Sequence, residues 1–220
     1  MSFTYDTREL THGNKYGFFA KISMGTSGKV TFGKAYPFTG LRETSFETSQ
    51  ESNAYYADDV EHVRLQGAKK TEGTIKTYQF SKQFLTDHLG KKLTTSTPPA
   101  LVDTGSNANF LFCYAENVTD EFGTEFTEFH IWTNVKAGAP KSSTKTDEES
   151  VEGKEFEVPV TASPNNYVKD SDGKAVTEIV WRDDKNGTVF EEIKKLFEES
   201  PATTIEALLA KALGTEQSSS

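Results

Sequence analysis

Alternation of polar and apolar residues through residues 53–80 restricts most strongly how this chain can fold. Val63 and Leu65 fall on one face of an extended segment, and Arg64 falls on the other. A period of two residues is typical of a β-strand that is covered on one side only. The alternation breaks at residues 67–70, Gly-Ala-Lys-Lys, and resumes from Thr71. We therefore predict a long hairpin over residues 53–80 with its turn at residues 67–70.

A short helix is predicted directly after this hairpin, at residues 81–89. Ser81 is placed to act as the N-cap, and Gly90 is placed to end the helix. A hairpin that leads into a docked helix is thus the expected structural unit.

The composition favours a sheet protein over a helix bundle. The chain has 220 residues, of which 12% are aromatic, and it is long enough to bury a substantial core. Residues 110–115, Phe-Leu-Phe-Cys-Tyr-Ala, are apolar on both faces and are predicted to lie at the centre of that core. The expected fold is mainly β, an antiparallel β-sandwich or barrel with two or three short flanking helices.

Three further elements are predicted towards the end of the chain. Residues 156–160 read as a strand whose Pro159 places it at a sheet edge or beside a bulge. A helix with Phe190, Ile193 and Leu196 on one face is expected to be capped by Thr188. A last amphipathic helix is expected at residues 205–213.

The net charge excludes some classes of partner. At −9, with a pI near 5.1, the chain as a whole repels a polyphosphate. No apolar run approaches the roughly 18 residues of a membrane span, and no signal segment follows Met1. The expectation is a soluble protein made in a cytoplasm, in which the single Cys113 is a small buried hydrophobe.

Enzyme chemistry finds little support in the sequence. Asp58, Asp59, Glu61 and His62 crowd together and could in principle hold a divalent cation. On a strand, however, Asp59 and Glu61 share one face while Asp58 and His62 share the other, so the four groups do not converge. The other histidines lie far apart and beside no plausible nucleophile. We predict no catalytic, cofactor-binding or metal-binding residues, and hence no enzyme.

Motifs in the hairpin and helix carry a family resemblance. They are Tyr-Ala-Asp at residues 56–58, the glycines Gly67 and Gly73, and Phe-Leu-x-Asp-x-Leu-Gly at residues 84–90. In this order they resemble the major tail proteins, or tail-tube proteins, of long-tailed siphophages of Gram-positive bacteria. The resemblance extends over roughly residues 15–200.

The resemblance implies a structural virion protein. Its copies would form stacked, hexameric rings that build the tail tube, the conduit for DNA ejection, after assembly in the host cytoplasm. The implied partners are other copies of the chain, a tape measure protein, and tail-terminator and baseplate proteins. Double-stranded DNA would pass through without specific binding, and no membrane or cofactor is implied.

Three segments are expected in such a subunit. Residues 1–15 would form an N-terminal arm ordered by a neighbour. Residues 16–200 would form the tail-tube β domain, with a mobile loop at residues 137–153. Residues 201–220 would hold a C-terminal helix and a disordered tail.

The hairpin supplies the candidate site residues. A DNA conduit needs an inner wall that does not capture phosphates, so acidic side chains are expected to line it. The acidic candidates for this wall are Asp58, Asp59, Glu61 and Glu72. Candidates for contacts between subunits are Tyr55, Tyr56, Val63, Arg64, Leu65, Lys69, Lys70 and Lys76.

A binding module is the alternative function. A β-sandwich that binds carbohydrate or a host surface could use exposed aromatic side chains such as Tyr55, Tyr56 and Trp132. Discrete sugar ligands on a glycan array would favour this module, whereas a tube subunit should bind none.

Overall fold

The computed structural model describes residues 8–24, 30–142, 154–184, 186–200 and 203–215. The first strands and the first helix are β1 (Glu9–Met24), β2 (Val30–Pro37), β3 (Leu41–Ala57), β4 (Val60–Thr77) and α1 (Lys82–His88). The middle of the chain holds β5 (Lys91–Leu93), β6 (Leu101–Asp103), β7 (Phe110–Asp120), β8 (Glu125–Ala137) and β9 (Lys141–Ser142). The remaining elements are β10 (Phe156–Ala162), β11 (Asn165–Lys169), β12 (Ala175–Val176), β13 (Glu178–Arg182), α2 (Thr188–Lys194), a 3-10 helix (Lys195–Phe197) and α3 (Ile205–Ala212). The fold is mainly β, as predicted.

One antiparallel sheet organises these strands in the order β2-β1-β7-β8-β10-β4-β3. β10 and β13 lie end to end beside β8, because β10 pairs with residues 135–137 and β13 with residues 128–132. On its other side β10 pairs with β4. The ends of the sheet approach each other, since the Asn14 amide on β1 donates a hydrogen bond to the Thr44 hydroxyl on β3 at 2.9 Å. The sheet is therefore strongly curved around an interior.

Alternate side chains of β7 enter two separate hydrophobic clusters. Phe110, Phe112 and Tyr114 face the inside of the curve, together with Phe84 of α1. Leu111, Cys113 and Ala115 face the opposite side and are covered by the apolar stripes of α2 and α3. Both faces of β7 are thus buried over residues 110–115, which confirms the prediction that these residues form a buried central strand.

α1 begins and ends where the sequence predicts. The Ser81 hydroxyl accepts a hydrogen bond from the Phe84 N–H at 3.2 Å, and Gly90 has a φ of 64°. The helix presents Phe84 and His88 to the interior cluster. Burial lowers the pKa of His88, although the carbonyl of Ala108 partly opposes this effect.

Two sequence-based predictions about the strands are wrong in part. Residues 9–15 are not an arm, because β1 begins at Glu9 and pairs with β7. β10 is not an edge strand, because it lies between β4 and the strands β8 and β9. The other half of that prediction, a bulge beside Pro159, fits the register, since β10 advances three residues from Glu157 to Val160 while its partners advance four. Pro159 is tolerated there because it falls between the residues that pair with β9 and those that pair with β8, and its carbonyl accepts from the Gly138 N–H at 2.7 Å. Within residues 137–153, β9 pairs with β10, and residues 143–153 lie outside the described residues.

Thr188 is also not the cap of α2. It is the first residue of the helix, and the buried Asp183 carboxylate accepts the free N–H groups of Val189 and Phe190 at 2.8 and 3.1 Å. A carboxylate at this position satisfies backbone donors and complements the helix dipole. α3 matches its predicted position and buries Leu208 and Leu209.

A partly buried histidine lies among carboxylates where β7, β8 and β13 meet. His130 Nδ1 lies 2.9 Å from Glu178 Oε1, and its Nε2 lies 3.7 Å from Glu116 Oε2. The ring stacks on Tyr114, and Glu128 is close enough to contribute its charge. Burial alone would lower the pKa of His130, but the hydrogen bond to Glu178 and the three negative charges outweigh it and raise the pKa.

We expect the protein to lose stability as the pH rises through the pKa of His130 in the folded state. A raised pKa means that charged His130 stabilises the fold fully below about pH 6.5, the usual value in an unfolded chain, and that this contribution disappears at higher pH. Thermal unfolding of His130→Gln should differ more from wild type at pH 6 than at pH 8. His62→Gln, at an exposed position, is the control. An equal difference at both pH values would contradict the assignment.

Candidate assembly surface

β3 and β4 form one two-stranded ribbon that turns at Asp58 and Asp59. These residues have φ values of 52° and 62°, and Ala57 pairs with Val60 on either side of them. Two left-handed residues make the tight turn whose twist suits a hairpin, and aspartate is among the few non-glycine residues that tolerate it. The predicted turn at residues 67–70 is therefore wrong, and the hairpin covers residues 41–77 rather than 53–80.

Residues 67–70 instead contain a β-bulge. Gln50 pairs with Lys69 and Ser52 pairs with Gln66, so β4 advances three residues while β3 advances two. An extra residue reverses the alternation of β4 and bends the ribbon. The break in the sequence pattern was real, but it marks a bend within one strand.

The half of the ribbon nearest the body is held firmly. Phe46 of β3 stacks on Trp132 of β8 with ring centroids 4.1 Å apart, and it lies opposite Gly73 of β4. Residues 71–77 of β4 also pair with β10, and the Thr48 and Thr71 hydroxyls share a hydrogen bond of 2.8 Å. The stack of Phe46 on Trp132 joins the hairpin to the interior cluster.

The other half, residues 49–70, projects from the body. Almost all of its side chains are exposed, and Ala54 alone is half-buried among those described. Neither of its long edges pairs with another strand in the part of the chain that the structure describes. Rows of free backbone N–H and C=O groups along both edges are what a further strand needs for pairing. We call residues 49–70 the free ribbon.

One face of the free ribbon carries an apolar stripe. Tyr55 lies opposite Val63, and Asn53 lies opposite Leu65. Tyr55, Val63 and Leu65 are 53%, 43% and 54% exposed. The opposite face is polar, since Arg64 donates to the Glu61 carboxylate at 2.8 Å and to the Ser52 hydroxyl at 3.4 Å. The hydrogen bond from Arg64 lowers the pKa of Glu61.

The outer face of the anchored half is acidic. Glu47 and Glu72 lie directly opposite each other, and like charges in that arrangement repel. Ion pairs of 2.7 Å between Lys70 and Glu72 and of 2.8 Å between Lys76 and Glu43 offset part of the charge. Between Glu43 and Tyr55 β3 has no extra residue, so its alternation places Glu43, Glu47 and Glu51 on the same face as Tyr55. The acidic surface and the apolar stripe therefore form one continuous face.

The four predicted wall residues do not form one cluster. Asp58 and Asp59 occupy the tip, Glu61 is paired with Arg64 beside it, and Glu72 belongs to the anchored half. At about 3.3 Å per residue, Glu61 and Glu72 are roughly 35 Å apart along β4. Prediction from sequence missed the β3 carboxylates Glu43, Glu47 and Glu51. The alternation of β3 contained the signal, with acidic and serine residues at odd positions around Phe46.

The predicted contact residues are distributed over the ribbon in three groups. Tyr55, Val63 and Leu65 form the apolar stripe, while Tyr56 and Arg64 belong to the polar face. Lys69 lies at the bulge, whereas Lys70 and Lys76 are the cations of the acidic face. The site residues of the alternative function are dispersed, because Trp132 is 4% exposed beneath Phe46, and Tyr55 and Tyr56 point to opposite faces.

Two other kinds of feature are absent from the described residues. In that part of the chain no group of three or more His, Cys, Asp or Glu side chains is placed to hold a metal ion. None of the described helices has both the length and the apolar character needed to cross a bilayer.

The family profile and the curated relatives that match this chain agree on one family. Residues 1–207 match the profile of the family described as phage tail tube protein. The tail tube proteins of Lactococcus phage p2 and Lactococcus phage SK1 are each 33% identical over 96 residues. That segment is 43% of this chain and covers only 32% of each relative's length.

A solved structure also shows a distant likeness. It is a chain of an extracellular contractile injection system, the PVC sheath–tube complex in the extended state. The match covers 76% of this chain and 88% of that chain, with a TM-score of 0.34 and 14% identity. A likeness of this size carries no argument about function.

We expect Gly73→Ala to destabilise the protein by about 1–3 kcal/mol, the usual cost of overpacking. A Cβ atom at Gly73 would collide with the carbonyl oxygen of Ser45 and lie 2.8 Å from Cδ1 of Phe46. β4 cannot move away, because it is paired on both sides there. Gly67→Ala is the matched control, since its nearest neighbour atom would be 3.5 Å away, and it should change stability by less than about 1 kcal/mol. Equal unfolding free energies for the two variants in denaturant titrations would contradict this account.

Proposed function

Because this chain belongs to the phage tail tube protein family, we propose that its copies assemble through the free ribbon into stacked rings that form the tube for DNA ejection. Members of the family are structural virion proteins, and the chain is not an enzyme. The proposed ring contains six copies, the number that the family resemblance implies. Assembly would take place in the host cytoplasm.

The main support is a two-stranded ribbon that protrudes without a partner. An isolated hairpin is at best marginally stable in water, and it becomes stable when a further strand or an apolar surface covers it. The free ribbon offers both kinds of contact, an apolar stripe and two unpaired edges. In a closed ring each copy can cover the ribbon of the next, so that no edge is left exposed.

The acidic face of β3 and β4 is the proposed inner wall. Glu47 and Glu72, with Glu43 and Glu51 on the same face, would repel phosphates and let a duplex slide. Of the acidic residues predicted from the sequence, Glu72 fits this position best. Asp58, Asp59 and Glu61 would lie at the tip, where the ribbon meets a neighbouring copy.

The proposed partners follow from this arrangement. Copies of the chain itself would make the ring and stacking contacts, and the tube ends would contact tail-terminator and baseplate proteins. A tape measure protein would occupy the bore before ejection, and DNA would pass through it without specific binding. These partners rest on the family resemblance.

The apolar stripe should be required for assembly and dispensable for folding. We expect concentrated wild-type protein to form hollow tubes of uniform bore in electron micrographs. Val63→Thr with Leu65→Thr should abolish the tubes while leaving the melting temperature within about 2 °C, because exposed side chains contribute little to stability.

The matched control places the same residue type on the opposite face of the ribbon. Ala54→Thr with Gln66→Thr should still form tubes. Wild-type protein that stays monomeric at high concentration would contradict the proposed function, as would tubes that form equally well from the stripe variant. A glycan array is the complementary measurement, because discrete sugar ligands would favour the binding module.

The inner wall should bind DNA when its charge is reversed. Tubes of Glu47→Lys with Glu72→Lys should retain double-stranded DNA at low salt, roughly tenfold more than wild-type tubes, and should release it as the salt concentration rises. Asp172→Lys with Glu199→Lys makes the same change in net charge at exposed positions outside the hairpin. If both variants retain DNA equally in cosedimentation, the acidic face is not the wall.

A further inference from the structure

Three turns of the chain share the pattern Asp-x-x-Gly and differ at the two residues between the aspartate and the glycine. In the turns that begin at Asp120, Asp170 and Asp184, the aspartate carboxylate accepts the N–H groups of the second and fourth residues after it. Each turn then has a glycine with φ between 71° and 78°, whose N–H donates to the aspartate carbonyl. The residue before that glycine is Phe122 in the first turn, Asp172 in the second and Asn186 in the third.

The aspartate and the glycine are common to all three turns, whereas the residue before the glycine varies. Two of the three turns form the same hydrogen bonds with a polar residue before the glycine, so an aromatic side chain is not needed there for folding. Phe122 is nevertheless 81% exposed, the highest value among the large exposed apolar side chains described. A rigid turn that presents a bare phenyl ring is preorganised for contact, because little conformational entropy is lost on binding.

An apolar groove lies at the opposite end of the molecule. It is lined by Phe32 of β2, Tyr167 of β11, Leu209 of α3 and the C-cap residue Leu213, with a volume of about 270 Å3. The register of β1 fixes the separation, since Glu9 pairs with Asp120 at one end and Met24 pairs with Val30 at the other. Fifteen residues at about 3.3 Å each place the Phe122 turn and this groove up to about 50 Å apart.

We infer that Phe122 of one copy inserts into this groove of a second copy and thereby links successive rings. The inference rests on the proposed function. A contact between different surfaces at opposite ends is heterologous, and it repeats along an axis instead of closing on itself. This is the symmetry that stacking requires, whereas the free ribbon would serve the contacts within a ring.

The charges around the two surfaces agree with this pairing. Glu121 and Glu125 are exposed beside Phe122, so the ring is presented from an acidic turn. Lys169 lines the groove and forms no ion pair with any residue that the structure describes. The other charged lining group, Glu206, is engaged within its own copy, where its carboxylate accepts the Phe32 N–H at 3.1 Å.

Phe122→Asn tests the inference with a residue that the third turn already uses. The full-length variant should melt at the wild-type temperature and form rings, but tubes should require a protein concentration on the order of 30-fold higher, the effect of losing one interface hot spot. Asp172→Asn makes the corresponding change in the second turn and should leave tube formation unaltered. Tubes of Phe122→Asn that form at the wild-type concentration would overturn the inference.

Cross-linking identifies the partner surface. Tubes grown from a mixture of Glu121→Cys and Lys169→Cys protein should form disulfide-linked dimers on oxidation, while tubes of either variant alone should not. Cys113 is fully buried and should not react. Dimers of Glu121→Cys alone, or no dimers from mixed tubes, would exclude this contact while leaving the tube itself established. Wild-type protein that forms no tubes would instead refute the proposed function, and this inference with it.

Discussion

The stacking of Phe46 on Trp132 decides which part of the long hairpin belongs to the body and which part projects from it. Phe46 can reach Trp132 because Gly73, directly opposite on β4, has no side chain in the way. Over residues 71–77, β4 pairs with both β3 and β10, and its inner face packs against the interior of the protein. Beyond it, the bulge at residues 67–68 bends the ribbon away from the sheet, and the described side chains of residues 49–70 are exposed on both faces, apart from the half-buried Ala54. One aromatic contact and one bulge thus separate a folded half from a free half.

The sequence predicted the fold class, the central strand, α1 and α3, because each has a strong local signal. Residues 110–115 are apolar on both faces, and α1 has both a capping serine and a terminating glycine. The misplaced turn has a physical cause, because a break in alternation is the signature of a bulge as well as of a turn. In the sequence, a glycine followed by two lysines is a stronger turn signal than Asp58 and Asp59. Only the pairing of β4 with β3 shows that the first site is a bulge and the second is the turn. The edge position predicted for β10 and the cap predicted at Thr188 were wrong for a similar reason, since distant strands and the buried Asp183 determine these roles.

Only part of the candidate site was predicted, because only part of it has a local signal in the sequence. The exposed apolar residues were found because their alternation is local, and the structure places Tyr55, Val63 and Leu65 on one face. The acidic face was only partly found, since it requires knowing that Glu47 lies opposite Glu72, twenty-five residues later. Charges on a single strand cannot be assigned to a surface until the neighbouring strand and its register are known. A bulge makes the assignment harder, because it moves every following residue of that strand to the other face.

The same curved sheet can serve two directions of assembly because its exposed features lie on different axes. The free ribbon extends from β3 and β4, at one margin of the sheet, and presents its long edges sideways. The Phe122 turn and the groove of Phe32 and Leu209 lie at the two ends of β1, so a contact between them runs along that strand. When a ring closes, every strand edge has a partner. An end-to-end contact, by contrast, always leaves one unoccupied surface on the last copy of the stack. Under the proposed function, a subunit with both features would give rings of fixed size and a stack without an intrinsic limit, so another component would have to set its length.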